Sequence, residues 1–436
     1  MRPVDPETLA DLPGYTPINL QHDAYPNALS PDGRLWAAIV WPGDPIIGGG
    51  VLHLIDTATW RDIPTPVILS DSVHNLAFSP DGSQLAVTEV WDHITGGVEK
   101  WGADLRIVNV NQPDEVQTVT FDLYVQQVVF SADGKQLALY GTPWPNCDGS
   151  GCFATGTPRV MAFDVPTGKT LWSLTLSGVK DGEYREPTSQ NPQLVNYYTP
   201  GLTFSRDGRR LYIVHAQDEQ LTMVDLGNGL GHTLTIAQPV SWLDQLVSLT
   251  AATAYAKGEP AGGTDKYAVL SLDEKRLYVT GWQRQVKPDA NASGGAQEIN
   301  TALEPQVINP LTGNRLTGAE QALAGETGMQ FIPSPDGRWL YLNRLSAPGA
   351  QGTPDSELSG LKILDTTTLK PIAHLENGVT DMTVTFAPDG ELSYLVIPDR
   401  LSGSITHLQV LRASSSKPVE TRDVLGGADL LVVLPH

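Results

Sequence analysis

Cysteine is nearly missing from this 436-residue chain: Cys147 and Cys152 are the only two. A metal site built on them lacks ligands, because only Asp148 stands beside them. Basic residues are also scarce, with 28 Lys and Arg against 49 Asp and Glu and a formal charge of −21. Such a balance repels phosphate backbones and anionic membrane surfaces, so nucleic acid is excluded as a partner. No run approaches the roughly 18 apolar residues of a membrane span, and no helical periodicity of any length is present.

Catalytic signatures are missing too. The chain has no HExxH, no CxxC, no CxxCH haem site and no GxSxG elbow. Gly48, Gly49 and Gly50 precede a strand pattern rather than a helix, so they form no phosphate cradle. Asp148-Gly149-Ser150-Gly151 is too short for a calcium loop of the EF-hand kind. No catalytic residue, metal or cofactor follows from these residues. His53, His215 and His407 fall on strand patterns, where a histidine is a packing residue more often than a ligand.

What the chain does have is a phrase repeated seven times, at 30–33, 79–82, 131–134, 205–208, 271–274, 334–337 and 387–390. Ser79-Pro80-Asp81-Gly82 is typical, while Ser271-Leu272-Asp273-Glu274 and Ala387-Pro388-Asp389-Gly390 are variants. Proline pre-sets the turn, aspartate bonds nearby amides, and glycine accepts the left-handed conformation. Strand-forming runs flank each copy, so each is the turn of an antiparallel hairpin. A third run follows in most repeats, such as 51–56, 159–164 and 361–365, and then a fourth, such as 371–376. Four antiparallel strands per unit is the pattern of a propeller blade.

The aspartates at 32, 81, 133, 207, 273, 336 and 389 are spaced by 49, 52, 74, 66, 63 and 53 residues, so the longer units carry insertions. The fold expected is all-β: one seven-bladed β-propeller of four-stranded antiparallel blades, a single domain over 1–436. Two short runs, 15–21 and 429–434, are candidates for completing the last blade.

In such a blade the first-to-second and third-to-fourth connections emerge at one end, the others at the opposite end. The repeated turns fall at the first end. The insertions 41–50, 91–103, 141–157, 281–300 and 343–360, with the connections 177–200 and 237–266, fall at the second. Long loops on a rigid scaffold are where binding resides. That rim is aromatic: Trp41, Trp91, Trp101, Trp144, Trp242 and Trp282 lie in or beside it, with His93 near Trp91 and the pair Tyr197 and Tyr198. Aromatics that only pack loops onto the blades are the plain alternative; as a group they suit an interface. Just before the first strands, His74, Gln126, Lys266 and Gln330, with Asp381, are positioned to line the channel mouth, holding a small ligand or only water. Cys147 and Cys152 bracket a Gly-containing tetrapeptide and are a disulfide candidate, which favours a periplasmic or cell-surface home over a cytoplasmic one. The opening residues have no apolar signal core, so that home implies a removed leader.

The stretches FSPDGSQLAV at 78–87, FSRDGRRLYIV at 204–214 and PSPDGRWLYL at 333–342 resemble the repeats of bacterial YVTN-type propellers. These are similar to the β-chain of quinoprotein amine dehydrogenases and, more distantly, to lactonases of the same superfamily. The likeness spans about residues 25 to 425, and its motif residues are structural. It implies the fold and leaves activity open. Two functions are expected of such a chain. One is a non-enzymatic binding or assembly protein meeting a protein partner through the loop-rich rim, particularly 91–103, 141–157, 281–300 and 343–360. The other is an enzyme or cofactor-dependent subunit, lactonase-like or quinoprotein dehydrogenase-like, working at the channel mouth with His74, Lys266 and Asp381. A surface-layer or filament component is a third. Oligomeric state does not follow from the residues.

Overall fold

The computed structural model describes residues 24–41, 49–65, 72–95, 98–144, 146–148, 151–153, 156–185, 195–237, 262–288, 296–345, 360–375, 382–387, 390–398, 405–412 and 418–425, with scattered positions besides. The expected runs fold as strands. The first sheet holds β1 (Ala24–Leu29), β2 (Leu35–Val40), β3 (Val51–Asp56) and β4 (Arg61–Ile63). The second holds β5 (Ser72–Phe78), β6 (Gln84–Thr95), β7 (Val98–Asn109) and β8 (Val116–Phe121). The third is β9 (Leu123–Phe130), β10 (Gln136–Pro143), β13 (Arg159–Asp164) and β14 (Lys169–Thr175), with the two-stranded ribbon β11 (Asn146–Asp148) and β12 (Gly151–Phe153) interposed. After the hairpin β15 (Gly182–Arg185) and β16 (Val195–Thr199) comes the fourth: β17 (Gly201–Phe204), β18 (Arg210–Val214), β19 (Gln220–Asp225) and β20 (Leu230–Thr235). The fifth has β21 (Gly262–Leu270), β22 (Leu277–Pro288), β23 (Ala296–Ala302) and β24 (Gln306–Ile308). The sixth is β25 (Met329–Pro333), β26 (Trp339–Arg344), β27 (Leu361–Asp365) and β28 (Pro371–Leu375). The seventh is β29 (Thr383–Phe386), β30 (Leu392–Pro398), β31 (Ile405–Arg412) and β32 (Pro418–Leu425), so its outer strand comes from neither terminal run.

Serine, whose role in the repeat is silent in the sequence, organises each turn. Ser30 Oγ donates to Asp32 Oδ1 at 2.7 Å and accepts from Leu35 N at 2.9 Å. Asp32 Oδ1 also accepts from Arg34 N at 3.1 Å, and Gly33, at φ +70°, donates its N–H to Ser30 O at 2.8 Å. The same bonds recur around Asp81, Asp133, Asp207, Asp273 and Asp336. These donors hold the Asp32 and Asp81 carboxyls below the usual range. In the fifth copy Glu274 takes the left-handed position, φ +54°, and its Oε1 accepts from Arg206 N at 2.8 Å in the neighbouring turn.

Successive sheets pack face to face, which accounts for strands apolar on both sides. Leu52 and Leu54 share a buried cluster with Leu85 and Val87; Leu105 and Ile107 with Leu137 and Leu139; Tyr140 with Leu211 and Ile213. The series continues through Tyr212 with Leu277, Tyr278 with Leu340, and Tyr341 with Leu395. First strands lie side by side as β1, β5 and β9, and again as β17, β21 and β25. This is the layout of a β-propeller.

Two expectations need correcting. The fifth unit is not a plain four-stranded blade: β15 and β16 join its inner edge, β16 running parallel to β21. Where its fourth strand belongs, only Asn314 and Arg315 make isolated bridges. A helix then follows, α1 (Thr317–Ala322), although the sequence carries no helical periodicity. A single turn and a half is too short to write a period, and this one is held by tertiary bonds. Glu320 Oε1 accepts from Val307 N at 3.1 Å and from Arg315 Nε at 2.8 Å, replacing the missing ladder partner of β24.

Candidate functional site

Four of the rim insertions are strand-built where the structure describes them, while most of 41–50, 237–266 and 343–360 lies outside the described residues. Segment 91–103 continues β6 and β7 as one ribbon, with Asp92 opposite Trp101 and His93 opposite Lys100. Segment 281–300 extends β22 and β23, and the 141–157 insertion carries β11 and β12. The 177–200 connection forms β15 and β16. In an up-and-down sheet all four rise at the end opposite the Ser-Pro-Asp-Gly turns.

At that end, Asp181 gathers the strongest chemistry. Val179, buried with the core of the third and fourth sheets, pins the connection after β14. Gln217, after β18, clamps it from the other side: Nε2 donates to Gly178 O, and Oε1 accepts from Lys180 N at 3.3 Å. Asp181 therefore turns inward and is only 5% exposed. Its Oδ2 accepts from Tyr140 Oη and Gln126 Nε2, each at 2.9 Å. Burial pushes its carboxyl up to about 6, opposed by the two neutral donors. The Tyr184 hydroxyl lies 3.1 Å from Asp181 N and 3.3 Å from Asp181 O.

Aromatic rings extend this centre on both sides. His74 meets Tyr124 edge-on at 5.0 Å, and Tyr124 meets Trp144 at 5.5 Å. His74 Nε2 lies 2.9 Å from Ser72 Oγ, and burial lowers its pKa. Tyr184 and Tyr198 stand 5.9 Å apart, and the Lys180 ammonium lies 5.4 and 5.1 Å from their centroids. The Arg284 guanidinium lies 5.9 Å over Tyr197.

A second polar group adjoins it between the fourth and fifth sheets. Lys266 is buried, its Nζ donating to Asp218 O at 3.2 Å and lying 3.7 Å from Glu219 Oε1. Burial lowers its pKa. His215 Nδ1 lies 3.1 Å from Asp218 Oδ1, and Nε2 lies 2.8 Å from Thr222 Oγ1.

Of the residues singled out in the sequence, His74, Gln126 and Lys266 join these groups, from within β5, β9 and β21 rather than before them. Gln330 is exposed on β25 opposite Asn343 and joins neither. Asp381 and Trp242 lie outside the described residues, as do the side chains of His93, Trp101, Cys147 and Cys152. Trp282 is 6% exposed and covers Gly328, Trp91 lies across Gly102 on the partner strand, and Trp41 lies over Gly50. These three pack the rim onto the sheets. Asp181, Tyr140 and Tyr184 escaped sequence reasoning. Tyr140 reads as strand apolarity, and the one signal for Asp181 is an acid two residues past the apolar Val179.

Among the described residues no group of three or more His, Cys, Asp or Glu gathers as a metal site, and no helix is long and apolar enough to cross a membrane. A cavity of about 460 Å³ opens at the opposite end, between the fifth and sixth sheets. Of the two arginines that line it, Arg276 already donates to Thr366 O and, at 3.4 Å, to Thr367 O, and the rest of the lining comes largely from the turns, which makes the cavity a gap between them.

No family model matches the chain, and no curated protein does. Among solved structures, dihydro-heme d1 dehydrogenase NirN in complex with DHE is similar at 15% identity and TM-score 0.52, over 93% of this chain and 66% of that one. The chain thus spans just under two thirds of that protein's length. Hydrazine synthase of Kuenenia stuttgartiensis matches at 14% identity and TM-score 0.42, over 89% of this chain and 95% of that one. The Cps50 (Swd1) β-propeller domain of Myceliophteria thermophila matches at 11% and 0.43, over 87% and 94%. At such identities the likeness concerns the fold. The chain is a β-propeller.

Proposed function

We propose that this chain is a seven-bladed, YVTN-type propeller that acts as a binding module, meeting its partner on the rim built by β6–β7, β11–β12, β15–β16 and β22–β23. The observation that carries this reading is that four strand-built extensions rise from one end while the other end keeps tight turns. Closure into seven blades is supported by the two end faces. Trp36, Ala38 and Ile55 on the first sheet and Tyr394 and Val410 on the seventh are all buried. Faces of an open stack stay wet.

The test replaces residues 92–101 by a two-residue Asn-Gly turn, which closes on the existing Trp91–Gly102 pair and shortens β6–β7 without shifting the register of the sheet below. Cross-linked capture from native extract, read by mass spectrometry, should lose a specific protein partner while melting shifts little. Capture of the same partner by the shortened form removes the reading.

A second reading, an enzyme or cofactor-dependent subunit, is favoured by the perturbed Asp181, His74 and Lys266 on the same rim. The dehydrogenase named among the structural neighbours accords with it by fold analogy alone. Turnover that survives shortening of β6–β7 and disappears in Asp181→Asn separates the two.

A further inference from the structure

We propose that Asp181 anchors a site for an organic ammonium group, a primary amine or an N-methylated ammonium, on the rim beside the third sheet. The inference rests on the binding reading above and names the chemistry that this part of the rim recognises.

A carboxylate taken out of water is retained where a cation or several strong donors compensate it. Asp181 is buried, and both of its side-chain hydrogen bonds come from neutral groups and converge on Oδ2. Among the described residues no hydrogen bond reaches Oδ1, and no lysine, arginine or histidine pairs with the carboxylate. With its carboxyl near 6 the group is still ionised at pH 8. Oδ1 is thus the oxygen of this carboxylate that opens to solvent, and there an external N⁺–H donor can reach it.

The surroundings favour a carbon-bearing cation over a bare metal ion. Tyr184 touches the Asp181 backbone, Tyr198 stands against Tyr184, and Tyr124 with Trp144 flanks the Gln126 side. Ring faces attract an ammonium through their quadrupoles, most strongly where water is thin. The protein already uses these rings in this way, because the Lys180 ammonium rests against Tyr184 and Tyr198. Lys180 marks the outer half of the site, and Asp181 is the anionic inner half.

The experiment titrates the whole chain with n-butylammonium chloride at pH 8 and constant ionic strength, reading tryptophan fluorescence and melting temperature. n-Butanol and sodium chloride are the controls. A saturable response to the ammonium alone is expected. It should weaken at least tenfold in Asp181→Asn, weaken in Tyr184→Ala, and strengthen severalfold in Lys180→Ala. Equal responses to butanol or sodium, or undiminished binding by Asp181→Asn with a native melting transition, overturn the proposal. Nα-acetyl-lysine methylamide distinguishes the sources: tighter binding than n-butylammonium points to a lysine carried on a protein, weaker binding to a free amine. If the ammonium response is absent while the β6–β7 capture is intact, this assignment fails and the binding reading stands. The reverse result leaves a small-molecule site without the rim partner.

Discussion

Tyr140 and Asp181 meet across the third sheet and its outgoing connection through a 2.9 Å hydrogen bond, the phenol donating to a carboxylate that pairs with no cation among the described residues. Tyr140 lies on a second strand with its side chain fully buried, so the contact joins the core to the rim. Disturbing it tests both.

Asp181 should make stability depend on pH. Its carboxyl is raised from 3.8 to about 6 in the folded chain, so the folded state holds the proton more firmly than the unfolded one. The group's contribution is complete below pH 3.8 and lost as pH rises through 6. Tyr140 on β10, Gln126 and Tyr124 on β9, and Tyr184 on β15 face it, none of them charged at these pH values. Asp181→Asn keeps an acceptor for Tyr140 without the buried charge. It should be more stable than the parent at pH 8 by up to roughly 3 kcal/mol, from about 1.4 kcal/mol per pKa unit. The gap should close by pH 4. Melting curves across that range check it, and a gap independent of pH contradicts it.

Gly102 exists to admit Trp91. A Cβ there would overlap the indole ring, so Gly102→Ala should destabilise the chain by about 1–3 kcal/mol. The double variant with Trp91→Ala should recover part of that loss. Denaturant titrations of the four forms measure the coupling, and strict additivity would show that the two do not touch.

Cys147 and Cys152 are direct cross-strand partners in β11–β12, one pair out from the terminal pair Asp148 and Gly151. In such a hairpin the pair next to the turn exchanges hydrogen bonds, and the next pair is the closely spaced kind, within disulfide reach. Exposure to oxidised glutathione should remove two hydrogens from the intact mass and block alkylation, with reduced glutathione as the second product. Two alkylated thiols after that treatment would exclude the bridge.

Glu320→Ala should leave Val307 N and Arg315 Nε without their shared acceptor. The loss should be about 1–3 kcal/mol, with amide exchange rising at Val307 ahead of the sheet's other strands. Unchanged exchange at Val307 would assign α1 no part in closing the fifth sheet.

The scaffold was legible because its signal is repeated. The Asp-Gly turns and their flanking apolar runs occur in copy after copy, so an imperfect one such as Ser271 to Glu274 is still read. The fifth unit was misread because its fourth strand is replaced by a carboxylate from α1, a tertiary substitution with no period. The site was half legible. Polar residues on first strands stand out against apolar neighbours, which exposed His74, Gln126 and Lys266. Asp181 is one acid among many in an acidic chain, and only packing against Val179 and Gln217 turns it inward. Rim tryptophans drew attention by size, yet Trp282 and Trp91 spend that size on covering glycines.

The repeated turn also bears on how the molecule ages. After Asn-Gly, Asp-Gly is the sequence at which polypeptides rearrange most readily, when the glycine nitrogen attacks the neighbouring side-chain carbonyl. Here the N–H of Gly33, Gly82, Gly134, Gly208 and Gly337 is committed to a serine carbonyl at 2.8–3.0 Å, and the aspartates are locked by serine hydroxyls. Five of the chain's eight Asp-Gly bonds are thereby held in a geometry that withholds the nucleophile, and isoaspartate should accumulate in them only after the propeller opens.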